Sequence, residues 1–467
     1  MQPTNYRRAS PQALAATLDM LRDRFGDRLT ENASIRAQHS NTLSRVPSEP
    51  PDAVIYPQTT AEIATIVQIC AANRVPIIPF GTGTSFEGHI NAPFGGLSID
   101  TSRMKRIIAI NAEDFDCVVE AGVTRRELND HIRHQGLFFP VDPGADASLG
   151  GMTSTRASGT NAVRYGTMKD NVLALTVVLP SGDIVKTGGR ARKSSAGYDL
   201  TRLFVGAEGT LGVVTEITLR LHGIPEQISS GICAFPTIRT ACDAVVCIIQ
   251  SGVPIARIEF LDEVQVKACN ASSKLDLPEV PILFVEFHGG PAAVTEAIER
   301  FGEVARQFDG DQFVWATKSE DRNRLWTARH NAYWAASALR PAAKGIPTDV
   351  CVPISRLADC VTETKADIAA TGLIAPIIGH VGDGNFHVLP LIDPADPAEL
   401  ACGFALVDRM VARAIAMQGT CTGEHGVGQS NRKYLPLEHG DAGIALMRTI
   451  KQGLDPLGIM NPGKIFF

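Results

Sequence analysis

The chain has 467 residues, about three times the ~150 that serve as a prior for one domain, so more than one lobe is expected. Hydrophobic residues make up 44% and charged residues 20%, which excludes a disordered chain. With 44 Lys and Arg against 50 Asp and Glu the formal net charge is -6, so nothing argues for nucleic acid as a partner. No apolar run reaches the ~18 residues of a transmembrane span. The ten cysteines form no C-x-x-C pair, which reads as free thiols in a reducing compartment. The first residues lack the apolar core of a secretory signal, and Asp19, Asp23 and Asp27 argue against a mitochondrial leader. A cytoplasmic location is expected, with attachment at a membrane surface left open.

In chain order, Leu14, Leu18, Leu21 and Phe25 mark a helix over 11–25, followed by a polar, Pro-rich lead-in. PDAVIYP reads as a strand, TTAEIATIVQICAANR as a helix with a Thr cap and Glu62 in its first turn, and VPIIPF as a buried strand. The loop GTGTSFEGH follows, then the strands LSID, IIAI and CVVEAG. Residues 142–170 are dense in Gly, Ser and Thr with little periodicity, and so long a stretch in a compact domain points to a ligand. VLALTVVLPSGDIVKTG reads as a hairpin and EGTLGVVTEITLRL closes the block. Over 230–395, strands (SGICAF, IARIEF, ILFVEFHG, QFVWAT, TDVCVPI, APIIGHVG) alternate with helices, which predicts an α+β domain on an antiparallel sheet. A long helix over AELACGFALVDRMVARAIAMQ and a helical tail ending at MNPGKIFF complete the chain. The expected domains are 1–225, 226–430 and a segment 431–467 that returns to the first.

PFGTGTSFEGH has the chemistry of an anion cradle, with backbone N–H groups joined by the hydroxyls of Thr82, Thr84 and Ser85. The same pattern also suits any Gly-rich turn after a strand. It is neither a G-x-G-x-x-G fingerprint nor a P-loop. Taken with LGGMTSTRASGTNAVRYG and VGAEGTLGVVTEITLRL, it resembles the FAD-binding domain of the vanillyl-alcohol-oxidase flavoproteins (PCMH type) over roughly residues 50–222. The resemblance implies an α+β fold of two lobes, a PCMH-type FAD-binding domain plus an α+β substrate (cap) domain. It implies FAD contacts at Pro79, Gly81, Thr82, Gly83, Thr84, Ser85, Gly144, Gly150, Gly151, Thr155, Ser158, Gly159, Val213, Thr215 and, in the tail, Asn461. Covalent members attach flavin through a loop His or Cys. His89 lies farther from the glycines than in those members and no loop Cys exists, so non-covalent FAD is expected.

In GHVGDGNFH, a two-residue turn centred on Asp383-Gly384 pairs 382 with 385, 381 with 386 and His380 with His387. Facing imidazoles about 5 Å apart at Cβ can share a metal, although a solvated His pair fits the same segment. GTCTGEHGVG adds Glu424 as a third ligand beside His425, a donor set that suits Zn or Mn. Together with NPGKIFF these motifs resemble the FAD-dependent D-2-hydroxy-acid dehydrogenases, the family that includes D-lactate, glycolate and D-2-hydroxyglutarate enzymes. The resemblance implies a divalent metal on His380, His387 and Glu424, His425 as catalytic base and Arg329 of LWTARHNAYW gripping the substrate carboxylate. Arg329 otherwise reads as a solvated helix face. Trp326 and Trp334 read as core or pocket wall, Lys344 as a weaker second cation, and Asn385 as a ligand-orienting or turn residue.

The chemistry suits these types. A metal on the substrate hydroxyl lowers its pKa, and a neutral His425 can take the proton while hydride goes to flavin. In an extended segment the adjacent Glu424 and His425 point to opposite sides. The hydroxyglutarate enzymes carry an Asn where Leu389 stands and a Lys where Pro347 stands, so a distal carboxylate would go unpaired. D-lactate to pyruvate is the expected reaction. Glycolate or a larger apolar D-2-hydroxy acid is the first alternative, and a flavin-binding subunit of a multi-subunit oxidase is an alternative of another class. The ether-lipid-forming members of the fold are disfavoured by His380, His387 and Glu424. No heme, iron–sulfur or nicotinamide motif appears, so electrons are expected to pass to an external quinone, cytochrome, electron-transfer flavoprotein or oxygen. A homodimer is left open.

Overall fold

The computed structural model describes residues 6–40, 46–316 and 319–466. The chain divides into two compact units. The first comprises Met1–Ser158, Gly166–Ile224 and Glu424–Phe467, and the second Gly159–Tyr165 and Pro225–Gly423.

In the first unit, Ala53–Ile55, Leu97–Asp100 and Ile77–Phe80 pair in parallel, and Leu29–Thr30 adds an antiparallel edge. Parallel neighbours need a crossover, and the helix Thr60–Asn73 supplies one. Its start is set by Thr59, whose hydroxyl accepts the Glu62 N–H at 3.2 Å. Ile63, Ile66, Val67 and Cys70 form its buried stripe, and Leu18, Leu21 and Phe25 of the helix Pro11–Phe25 join the same core. A second, antiparallel sheet runs in the order Ile107–Asn111, Asp116–Glu120, Val213–Arg220, Val172–Val178, Ile184–Lys186. The helix Leu435–Leu454 turns at Gly440, whose φ is +65°. Lys451 on this helix is buried and donates to the carbonyls of Thr210 and Met460 at 2.6 and 2.8 Å.

Within the stretch 142–170 that lacked periodicity, three short helices form, Leu149–Thr155, Ala162–Tyr165 and Met168–Asn171. The first and third are started by side-chain caps, Ser148 onto Gly151 N–H and Thr167 with Asp170 in a capping box. Helices of four to seven residues are too short to show an apolar period, which is why the pattern was silent.

The second unit is built on a seven-stranded sheet in the order Asp311–Ala316, Gln227–Ala234, Ile282–Gly289, Ile255–Leu261, Ile377–Gly379, Asn385–Val388, Val350–Cys351. Every pair is antiparallel. Alternate positions divide its faces. Ile232, Ala234, Leu261, Ile282 and Phe284 join Trp326 of the helix Ser319–His330 in one core cluster. The same parity puts Ser230, Arg257, Glu259, Glu286 and His288 on that face, where polar side chains interrupt the apolar layer. Among the described residues no helix is long and apolar enough to cross a membrane. Among the described residues no disulfide joins any of the ten cysteines.

Candidate active site

The loop at residues 81–85 leaves the strand Ile77–Phe80 against the start of the helix Leu149–Thr155. A Cβ on Gly81 would lie 2.2 Å from Ser148 Oγ, and one on Gly150 would lie 2.6 Å from Ala121 Cβ, so the packing of chain on chain requires both glycines. Gly83 has φ +69°. Pro79 packs over Gly209, and Thr82 Oγ1 stands 3.4 Å from Thr84 Oγ1 and accepts the Ser148 N–H at 3.4 Å. Thr155 Oγ1 donates to the Gly151 carbonyl at 3.1 Å, beside the helix start. Ser158 is buried, and Gly159 belongs to the second unit. Val213 and Thr215 are buried in their strand, with Thr215 Oγ1 donating to the Thr176 carbonyl at 3.1 Å. Asn461 Nδ2 donates to the carbonyls of His89 (3.0 Å) and Glu208 (2.7 Å). The side chains of Thr215 and Asn461 are thus occupied within the protein. Two observations fit a bound flavin dinucleotide. Ser85 Oγ is buried with no hydrogen-bond partner among the described residues, and a Cβ on Gly144 would meet nothing within 4 Å.

The EHGVG loop of the same unit is tied down by a residue that sequence reasoning missed. Glu208 is buried, and its carboxylate accepts the N–H groups of Val427 (2.6 Å) and Gly428 (2.8 Å), with His89 Nε2 at 3.4 Å. Burial pushes its proton affinity up, but His89 and the two N–H donors outweigh burial and hold the carboxyl below its ordinary range. Gly426, at φ +83°, leaves room for this contact, since a Cβ there would lie 2.8 Å from Glu208 Oε1 and 2.9 Å from His89 Nε2. Glu87, also missed and 3% exposed, stands with Oε1 3.4 Å from His425 Nδ1 and accepts from Ser430 Oγ. The His425 ring packs on Phe86 with centroids 5.0 Å apart. At that separation the carboxylate acts on the ring as a nearby charge and makes no hydrogen bond to Nδ1. Both acids sit inside glycine motifs, GTSFEGH and GAEGTLG, with no cation next to them in sequence, and that was the available signal.

In the second unit the histidine hairpin departs from its predicted register. His387 pairs with Ile378 and Val388 with Ile377, a shift of two residues from the expected His380–His387 pair. The connection is a 3-10 turn over Val381–Asp383, followed by Gly384 at φ +81°. The cause is tertiary. Val350–Cys351 pairs with residues 385–386 and Val352 N–H donates to the Gly384 carbonyl at 3.0 Å, drawing 384–386 into the sheet. A shift of two preserves the face, so the two rings still meet, with centroids 5.4 Å apart at 83°.

Each imidazole is held at Nδ1, His380 by Glu259 Oε1 at 2.8 Å and His387 by the Thr348 carbonyl at 2.8 Å. Asn385 Nδ2 donates to Asp349 Oδ1 (2.7 Å) and the Val350 carbonyl (2.8 Å), which makes it a clamp of the sheet. Gly423, the last residue of this unit, packs so closely on Asn385 that a Cβ would lie 2.2 Å from its Nδ2. The next residue is Glu424, with which the first unit resumes.

Arg329 is 8% exposed, which corrects the reading of a solvated helix face. Its Nη2 donates to Glu259 Oε2, while its Nε is buried with no hydrogen-bond partner among the described residues. Glu259 is fully buried. Burial pushes its proton affinity up, and Arg329 and His380 outweigh burial, holding it ionised below the ordinary range. It was missed because it sits in a strand, although Arg257 and Glu259 at alternate positions of IARIEF were a signal. Beside it, Glu286 accepts from Ser230 Oγ and His288 Nε2, each at 2.7 Å. Against the upward push of burial, His288 and Arg257 bring the Glu286 carboxyl down to about 2. Trp326 is core, donating Nε1–H to Ser230 Oγ at 3.0 Å, whereas Trp334 is 63% exposed and is neither core nor pocket wall. Lys344 is exposed. Leu389 is buried in a cluster with Ala336 and Leu391.

Residues 51–188 match the family described as FAD binding domain, and residues 224–465 that described as FAD linked oxidases, C-terminal domain. A Danio rerio protein named probable D-lactate dehydrogenase, mitochondrial, is 49% identical over 461 residues, covering 98% of this chain and 93% of that protein. An Arabidopsis thaliana protein named D-lactate dehydrogenase [cytochrome], mitochondrial, is 47% identical over 415 residues, covering 89% and 73%. The crystal structure of p-cresol methylhydroxylase with substrate bound superposes with a TM-score of 0.81 at 18% identity, covering 98% of this chain and 97% of that one. This likeness shows a shared fold, the PCMH type.

Proposed function

The chain belongs to the FAD-linked D-lactate dehydrogenase family, and from that premise we propose that it oxidises D-lactate to pyruvate with a divalent metal, Zn or Mn, at His380, His387 and Glu424. The observation that carries the metal is the holding of both imidazoles at Nδ1 by acceptors, which leaves Nε2 as the ligand atom of each, the usual outer shell of a metal-binding histidine. FAD, held without a covalent bond, would accept the hydride, and the metal would lower the pKa of the substrate hydroxyl. His425, with the Glu87 carboxylate 3.4 Å from its Nδ1, takes the hydroxyl proton at Nε2. Arg329 binds the carboxylate, using the buried Nε that has no protein partner among the described residues. In this reading 1–225 binds FAD, 226–430 binds substrate and metal, and 431–467 completes the FAD domain.

The electrons leave to an external carrier, and the word cytochrome in the name of the Arabidopsis relative supports one of that class. The location proposed is cytoplasmic. Attachment at a membrane surface is compatible with it, and recovery of the activity inside an organelle fraction would refute that location.

The experiment is anaerobic titration of the FAD- and metal-loaded protein with D-lactate, L-lactate, glycolate and D-2-hydroxyglutarate, before and after EDTA. Flavin bleaching by D-lactate that EDTA abolishes is the expected result. Bleaching by glycolate in preference moves the substrate. No bleaching by any 2-hydroxy acid refutes the reading.

A further inference from the structure

Glu259 lies within the strand Ile255–Leu261 with no exposed surface, and both of its oxygens are engaged. Oε2 accepts from Arg329 Nη2, and Oε1 bonds His380 Nδ1 at 2.8 Å. With Oε2 accepting from Arg329, Oε1 is placed to accept as well, and a neutral His380 ring that donates Nδ1–H to it keeps its lone pair at Nε2. A buried carboxylate between two such partners is over-determined, because moving either one strands the other's charge.

Building on the proposed reading, we infer that Glu259 is a positioning residue with two outputs. It sets the His380 tautomer that makes Nε2 a metal ligand, and it aims the Arg329 guanidinium at the substrate carboxylate. One carboxylate thereby keeps the metal ligand and the anion clamp in a single register. That register suits a substrate whose carboxylate and hydroxyl sit on neighbouring carbons, as in a 2-hydroxy acid.

The test is Glu259→Gln in the FAD-loaded protein. A Gln whose carbonyl faces Arg329 turns its NH2 towards His380 Nδ1. That nitrogen must then accept, which moves the ring proton to Nε2 and removes the lone pair a metal needs. Zinc affinity, read by competition with a chromogenic chelator, is expected to fall roughly 10- to 100-fold while FAD content stays unchanged. KM for the hydroxy acid is expected to rise as well. A role confined to balancing the Arg329 charge would not change zinc affinity, so zinc binding within about twofold of the unmutated protein overturns the inference.

The double variant Glu259→Leu/Arg329→Met leaves no unpaired buried cation should the single variant fail to fold, and with no acceptor left for His380 Nδ1–H its zinc affinity is expected to fall likewise. In the unmutated protein, long-range 1H–15N spectra that show neutral, metal-free His380 with its proton at Nε2 instead of Nδ1 overturn the inference whatever the variants do. An unmutated protein that binds neither zinc nor manganese and is bleached by no 2-hydroxy acid refutes the functional reading instead.

Discussion

Glu208→Ala tests whether a buried carboxylate anchors the loop that bears His425. Truncation leaves the Val427 and Gly428 N–H groups, bonded at 2.6 and 2.8 Å, without an acceptor in the protein interior. A hydrogen bond to a charged group contributes about 1.5–3 kcal/mol, so two give about 3–6 kcal/mol, reduced because a carboxylate no longer has to be buried. Breaking a buried charged contact by removing one partner costs about 3–5 kcal/mol, which brackets the same value. At ~2–4 °C per kcal/mol for a large domain, a loss of about 3 kcal/mol lowers Tm by about 6–12 °C.

The pH dependence has a definite sign. The folded-state pKa of Glu208 lies below the ordinary 4.5, so its contribution is full above that value. The contribution is lost as pH falls through the lowered folded value. The Tm gap between the unmutated protein and Glu208→Ala should therefore be widest near neutral pH and narrow in acid. The assay is a thermal ramp followed by circular dichroism and flavin fluorescence over a pH series, together with stopped-flow flavin reduction. Reduction is expected to slow, because the lost anchors lie two and three residues after His425. A gap under about 2 °C at neutral pH, or one that does not narrow in acid, refutes the argument.

Gly426→Ala places a methyl 2.8 Å from Glu208 Oε1 and 2.9 Å from His89 Nε2 at φ +83°. Flavin reduction in stopped flow should slow while FAD stays bound, and a rate equal to that of the unmutated protein would remove the loop from the mechanism. Lys464 is buried and donates to the Asn91 carbonyl at 2.7 Å. Burial pushes its ammonium down to about 7 from the ordinary 10.5, so between these values the unfolded chain binds more protons and stability rises with pH. Urea unfolding should give a free energy that climbs by up to about 1.4 kcal/mol per pH unit from neutral to alkaline pH, a slope Lys464→Met loses. Equal slopes for the two proteins would show that Lys464 does not titrate there.

Several elements were legible because their causes are local. The Thr59 cap and the stripe Ile63, Ile66, Val67, Cys70 announce their helix without help from the rest of the chain. Strand periodicity over 230–395 likewise announced an antiparallel sheet. The hairpin register was not legible, because Asp383-Gly384 favours a two-residue turn locally and the neighbouring segment 350–352 overrides it. Trp334 reads as apolar in any sequence scheme, and only the direction of its short helix exposes it.

By itself the sequence determined which chemical groups the protein owns and the order in which they come. Three glycine motifs, two histidines seven residues apart, an acid–histidine pair and an arginine in a helix were sufficient for family and cofactor class. Tertiary structure decided which buried carboxylate stands behind which cation. Glu259 meets Arg329 across 70 residues and His380 across 121, and Glu208 meets Val427 across 219. No local pattern encodes such pairs. A buried charge accepts whatever donor the packed chain delivers within about 3 Å, and only the fold brings those donors there.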